Sequence, residues 1–169
     1  ERLHLLQAMS AITCVSDYIR DCFLDGIDPA TAPTEKVATA RNGAQRPSGP
    51  SGSKKQMILL AGRMVPEKGI LEFSQALAAV LGRYPEWEVV IAGARRFEAS
   101  KPGSYEAQIA DALAPIEGQT KMTGFLPKDQ LLELQKQAAI IACPSIWDDP
   151  MPKAVLEALA VGSALLTTR

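Results

Sequence analysis

Residues 57 to 94 read MILLAGRMVPEKGILEFSQALAAVLGRYPEWEVVIAGA, and the change of period inside this stretch decides the fold. MILLAG at 57–62 is a short apolar run that closes on a glycine, which marks a strand. In KGILEFSQALAAVLGRY at 68–84 the apolar residues Ile70, Phe73, Leu77, Val80 and Leu81 recur at helical spacing and fall on one face. EVVIAGA at 88–94 is a second strand-like run. Neither strand alternates apolar with polar residues. A strand covered on one face alternates, so these two are covered on both faces, as in a parallel sheet.

The same rhythm continues to the end of the chain. SYEAQIADALAPI (104–116) is predicted as a helix, TKMTGF (120–125) as a strand and KDQLLELQKQA (128–138) as a helix. AIIACPS (139–145) then reads as a strand, KAVLEALAVG (153–162) as a helix and ALLTT (164–168) as a last strand. Near-continuous apolar strands separated by amphipathic helices predict a doubly wound parallel α/β sheet of the Rossmann-like class. Ligands of such sheets bind at the carboxyl ends of the strands.

Upstream, the composition changes once. RNGAQRPSGPSGSKKQ (41–56) replaces apolar residues with Gly, Pro, Ser and basic ones and reads as a linker. Before it, AITCVS (11–16) is predicted as a short buried strand and SDYIRDCFL (16–24) as a helix capped by Ser16 or Asp17. Residues 1–40 hold too little apolar surface for a core of their own and read as the tail of a preceding domain, and residues 57–169 read as a doubly wound α/β domain whose closing elements are missing.

Bulk properties remove several function classes. The 169 residues carry a formal net charge of −1, which gives no general attraction to nucleic acid or to an anionic membrane. Cys14, Cys22 and Cys143 form no CxxC pair, and with His4 as the one histidine no zinc-ligand set exists. Free thiols in a reducing, cytoplasmic compartment are the plain expectation. No apolar run approaches the roughly 20 residues that span a bilayer, so a soluble fragment is expected, with room for the parent protein to dock peripherally on the inner face of a membrane.

Two places carry chemistry. In LLAGRMVPEKGI (59–70) a strand ends at Gly62, a loop carries Arg63 and Lys68, and a helix begins. Two cations beside a helix N-terminus suit a diphosphate; the plainer alternative pairs Arg63 with Glu67 on a solvated edge. Neither GxxxxGK[ST] nor GxGxxG follows the strand, which argues against a nucleotide triphosphatase and a dinucleotide dehydrogenase. In PSIWDDPMPKAVLEALAVG (144–162), Glu157 is the one ionisable group after Lys153 on an otherwise apolar helix. It either faces solvent or has a partner, and the vicinal hydroxyls of a ribose are one such partner. Asp149 lies upstream, in the loop that faces the same strand ends.

Together these residues resemble the C-terminal donor-binding domain of the retaining GT-B glycosyltransferases of glycosyltransferase family 4. The shared marks, in order, are Gly62-Arg63, Lys68-Gly69, GFLP at 124–127, Pro144-Ser145, and Asp149 followed after seven positions by Glu157, with VS at 15–16 and RNG at 41–43 upstream. The resemblance runs over about residues 10–169. It implies that Arg63 and Lys68 clamp and stabilise the departing diphosphate, that Glu157 binds the ribose, and that the loop with Asp149 contacts the donor sugar. Gly62, Met151 and Lys153 join the donor site, and the base is expected near Phe125 and Leu126.

The implied activity is transfer of a sugar from a nucleoside-diphosphate sugar to a glycan, lipid or small-molecule acceptor with retention of configuration and without a metal or other cofactor. The chain would supply the donor half of a two-domain enzyme and be inactive by itself. No nucleic-acid partner is expected. The sequence departs from the family where Asp149 replaces the usual glutamate and PMPK (150–153 with Pro150 at its head) replaces Gly-Phe-Gly, since Pro152 has no N–H to give. A non-catalytic nucleotide-binding domain and a GT-B sugar-nucleotide epimerase are the alternatives; a phosphorylase would need a pyridoxal-lysine context that Lys153 does not match.

Overall fold

The computed structural model describes residues 1–47, 52–94 and 104–168, and its contacts divide the chain into two compact units. Residues 1–43 form the first together with 149–153; residues 44–148 and 154–169 form the second. The middle of the expected linker, 48–51, lies outside the described residues.

In the first unit, helix α1 (Arg2–Ala8) leads to strand β1 (Ile12–Cys14), helix α2 (Asp17–Leu24) and strand β2 (Val37–Thr39). β1 and β2 pair in parallel over a small core of Leu6, Cys14, Ala32 and Val37. Ser16 is the cap of α2, its hydroxyl accepting from the Ile19 N–H at 3.3 Å. Asp17 instead opens the helix and accepts from the Thr39 hydroxyl at 2.6 Å and from Arg41 at 2.5 Å, which lowers its pKa, the Thr39 bond being the largest cause. Sequence reasoning did not assign α1 or β2. Seven and three residues are too few for a periodicity to register, and α1 is closed by a distant cation: the Lys36 ammonium donates to the carbonyls of Leu6 and Met9, both at 3.1 Å.

The second unit holds strands β3 (Lys55–Ala61), β4 (Glu88–Ala92), β5 (Thr120–Gly124), β6 (Ala138–Cys143) and β7 (Ala164–Thr167), with helices α3 (Ile70–Leu81), α4 (Tyr105–Leu113), α5 (Lys128–Gln137) and α6 (Lys153–Ala160). The sheet runs in the order β5-β4-β3-β6-β7 with every pairing parallel, which is the predicted doubly wound topology. Side chains alternate across β3, so one strand feeds two cores. Ile58 and Leu60 pack with α3 and α4 residues such as Ile70, Leu77 and Ile109; Met57 and Leu59 pack on the opposite face with Ile141 and with Ala158 and Val161 of α6 and its end. All described helices and strands of this unit that the periodicity predicted are present, with ends shifted by a few residues.

The differences have local causes. β3 begins at Lys55, before the expected Met57, because pairing with Ala138 of β6 extends the strand into polar sequence. The helix expected to reach Ile116 stops at Leu113 and continues as a 3₁₀ turn over Ala114–Gln119, where Pro115 lacks the N–H that an α-helix needs. Val80, assigned to the core face of α3, is 42% exposed; Ser74 takes a buried place with Ile70, Leu77 and Leu81, so the face is turned toward the i, i+4, i+7, i+11 stripe.

Candidate functional site

Strands β3 and β6 are neighbours, yet their following helices leave toward opposite faces, α3 to one core and α6 to the other. The two loops must part at this point, and the crevice between them is where a doubly wound sheet receives a ligand. Gly62 follows β3, and its N–H donates to the carbonyl of Ala92 at the end of β4, at 3.0 Å. Gly93 follows β4 with a φ of 148°, and its N–H reaches the carbonyl of Gly124 at 2.8 Å. A Cβ on Gly93 would come within 1.8 Å of the Gly62 carbonyl oxygen, so the ends of β3, β4 and β5 are drawn together by glycine backbone. At Gly62 itself a Cβ would meet nothing within 4 Å among the described residues. The packing of those residues does not require a glycine there.

The loop beyond Gly62 is anchored from below by Met64, 1% exposed in the core of the α3 face. A 3₁₀ turn, Pro66–Lys68, then delivers the chain to Gly69, whose φ of 63° starts α3. This turn rests on the loop after β6: the Ile146 N–H donates to the Glu67 carbonyl at 3.0 Å, and a Cβ on Gly69 would lie 2.0 Å from the Pro144 carbonyl oxygen. Lys68 is half-buried with its ammonium 6.0 Å from the ring centroid of Trp147, a cation–π approach that steers the side chain. Arg63 is exposed, and among the described residues its guanidinium has no hydrogen bond or ion pair, Glu67 included. Arg63 and Lys68 therefore both lie on the loop and turn between β3 and α3, at the carboxyl edge of the sheet. The supporting role of Trp147 was not legible, because nothing in the sequence brings the β6 loop to Lys68.

Helix α6 begins at Lys153, directly after Pro152, which places Glu157 in the second turn. The carboxylate is half-buried, and its Oε2 accepts a hydrogen bond of 2.8 Å from Nε2 of Gln135 on α5. The charge in an apolar helix thus has a protein partner, a pairing that sequence reasoning missed. The available signal was the position of Gln135, which shares a helical face with Leu131 and Leu132 and is 2% exposed.

The other expected donor residues fall as follows. Phe125 and Leu126 come just after β5; Phe125 is 79% exposed, and Leu126 is packed against the α5–α6 core. Asp149, Met151 and Lys153 cluster with the first unit. Among the described residues no group of three or more His, Cys, Asp or Glu side chains is placed to hold a metal ion, and no helix is long and apolar enough to cross a membrane.

A family model described as glycosyl transferases group 1 matches residues 42–169. The chain belongs to this family. It is 27% identical over 181 aligned positions to the putative glycosyltransferase YtcC of Bacillus subtilis, an alignment that takes in 97% of this chain and 44% of YtcC. The chain thus spans less than half the length of that relative. Among solved structures, a TarM variant of S. aureus in complex with fondaparinux, α-GlcNAc-glycerol and UDP superposes with a TM-score of 0.77 at 14% identity, over 98% of this chain and 31% of TarM. Anabaena HepE in complex with UDP and glucose gives 0.72 at 18% identity, over 96% of this chain and 45% of HepE. At such identities the likeness speaks for the fold, which is that of GT-B glycosyltransferases.

The two glycines at the crevice should respond differently to a methyl group. Gly69→Ala must hold an L-residue at positive φ and push its Cβ into the Pro144 carbonyl, so a loss of at least about 2 kcal/mol in urea denaturation is expected. Gly62→Ala should stay within about 0.5 kcal/mol of the parent protein. Equal losses at both positions would mean that the Gly69–Pro144 contact does not support the loop.

Proposed function

We propose that this chain provides the donor-binding half of a retaining glycosyltransferase, one that takes a sugar from a nucleoside-diphosphate sugar and passes it to an acceptor hydroxyl without a resident metal ion. The observation that carries this reading is the placement of Arg63 and Lys68 on either side of the β3–α3 loop, with Arg63 unpaired among the described residues and facing solvent. Glu157 adds a carboxylate on α6, the helix that follows the neighbouring strand β6. Cations suit a diphosphate and a carboxylate suits ribose hydroxyls, so the two loops together offer partners for both parts of a nucleoside diphosphate. Gly62, which the packing of the described residues leaves unexplained, supports the same reading, because a bare backbone lets a phosphate approach closely.

In this role the two cations act most strongly when the bond from the anomeric carbon to the phosphate oxygen breaks. Charge then builds on the leaving diphosphate, and fixed donors already in place stabilise it without reorganisation. Lys68 is held by Trp147 and by the turn against Pro144–Ile146, and Met64 pins the stem of the loop that bears Arg63. Phe125 offers an exposed ring after β5 that suits the base. The TarM and HepE structures contain UDP, which makes UDP the first ligand to try.

Calorimetric titration with UDP, GDP and ADP tests the clamp. One of them should bind the parent protein, and Arg63→Ala should weaken it by one to two decades, the equivalent of about 1.5–3 kcal/mol for a lost charged hydrogen-bond partner. Equal affinities for the two proteins would remove Arg63 from the site. For the full-length enzyme, NMR assignment of the product anomer in the presence of EDTA should show the configuration of the donor retained and turnover unaffected by the chelator; an inverted product or lost turnover would contradict the retaining, metal-independent assignment.

A further inference from the structure

We infer that Gln135 is a positioning residue for the ligand site: it fixes the Glu157 carboxylate in the orientation that receives the ribose. The inference rests on the proposed function, because it gives Glu157 the ribose as its ligand, and it adds a residue on a different helix, α5.

The argument starts from cost. Gln135 is 2% exposed on the face of α5 that carries Leu131 and Leu132 into the core, and a primary amide buried without partners is expensive. A leucine at this place would complete the apolar face. The amide instead spends its Nε2 donor on Oε2 of Glu157 at 2.8 Å, across the contact between α5 and α6. Glu157 is half-buried, so its carboxylate has solvent available as a partner besides Gln135. The direction of dependence therefore runs from Gln135 to Glu157: the buried amide constrains the more exposed carboxylate.

The backbone under Gln135 is fixed as well. The hydroxyl of Ser163, 8% exposed, lies 2.8 Å from the Ala138 carbonyl and 3.3 Å from the Gln135 carbonyl, and the Lys54 ammonium donates to that hydroxyl oxygen at 3.0 Å and to the Val161 carbonyl at 2.9 Å. The end of α5, the start of β3 and the turn after α6 are thus joined by one polar cluster. With Oε2 engaged, Oε1 of Glu157 keeps its lone pairs for a hydroxyl donor. A carboxylate already held in one rotamer loses less side-chain entropy when the ribose arrives, which is the benefit of preorganisation.

A double-mutant cycle on nucleotide affinity tests this. UDP and 2′,3′-dideoxy-UDP are titrated into the parent protein, Gln135→Leu, Glu157→Ala and the double variant. Gln135→Leu should weaken UDP by about five- to tenfold and change dideoxy-UDP by less than about twofold, since the benefit exists only where ribose hydroxyls are present. In the Glu157→Ala background the same substitution should change UDP affinity by less than about twofold. Should leucine prevent folding, Gln135→Met removes the donor with a more adaptable side chain and is read in the same way. Equal weakening of both ligands, a loss that persists without the Glu157 carboxylate, or unchanged UDP affinity in a folded variant would each overturn the inference. If UDP binds and Arg63→Ala weakens it while Glu157→Ala does not, the inference falls and the diphosphate clamp stands; if no nucleotide binds the parent protein, both fall.

Discussion

The pairing of β3 with β6 is the constraint from which the rest of the second unit follows. The two strands lie side by side in parallel, but α3 and α6 depart to opposite faces of the sheet. No connection can then cover the carboxyl end of the pair. The backbone contact of Gly69 with the Pro144 carbonyl and the Ile146 to Glu67 hydrogen bond hold the two diverging loops at a set separation. Position in the topology, rather than any one side chain, makes this edge the candidate binding place of such a sheet; the side chains would decide what is bound.

In the proposed function they would receive a ligand that carries both negative charge and hydroxyls. Each of the three proposed contacts is supported from behind by a different kind of interaction. Arg63 rides on a loop pinned by buried Met64, Lys68 is steered by the Trp147 ring, and Glu157 is held by the buried amide of Gln135. The membership of the chain in the glycosyl transferases group 1 family gives this arrangement a chemical context. The physical requirement is general: groups that must stabilise a leaving diphosphate work best when little rearrangement is left to do.

Much of this could be read from the residues, and the parts that could not share a cause. MILLAG and EVVIAGA named themselves as doubly covered strands, because burial on both faces removes polar residues from the sequence. Arg63 and Lys68 stand out in the sequence because they interrupt an apolar βαβ unit at its turn. The Glu157–Gln135 bond joins residues 22 apart, the Lys68–Trp147 approach spans far more, and α1 depends on Lys36 for its last carbonyls. Such contacts are products of the fold, and local periodicity contains no trace of them. Val80 failed for a related reason: α3 is rotated so that small Ser74 fits the interior, a choice made by the packing space and invisible to a hydropathy count.

The most direct measurement of the central claim, that the carboxyl edge at β3 and β6 receives a nucleoside diphosphate, is amide chemical-shift mapping of isotopically labelled protein during UDP titration. The largest shifts should fall in Gly62–Gly69, in Ser145–Trp147 and around Glu157, with the amino ends of the same strands, at Lys55, Glu88 and Ala138, nearly unmoved. Shifts concentrated at those amino ends or within residues 1–43, with the β3–α3 loop silent, would contradict the claim.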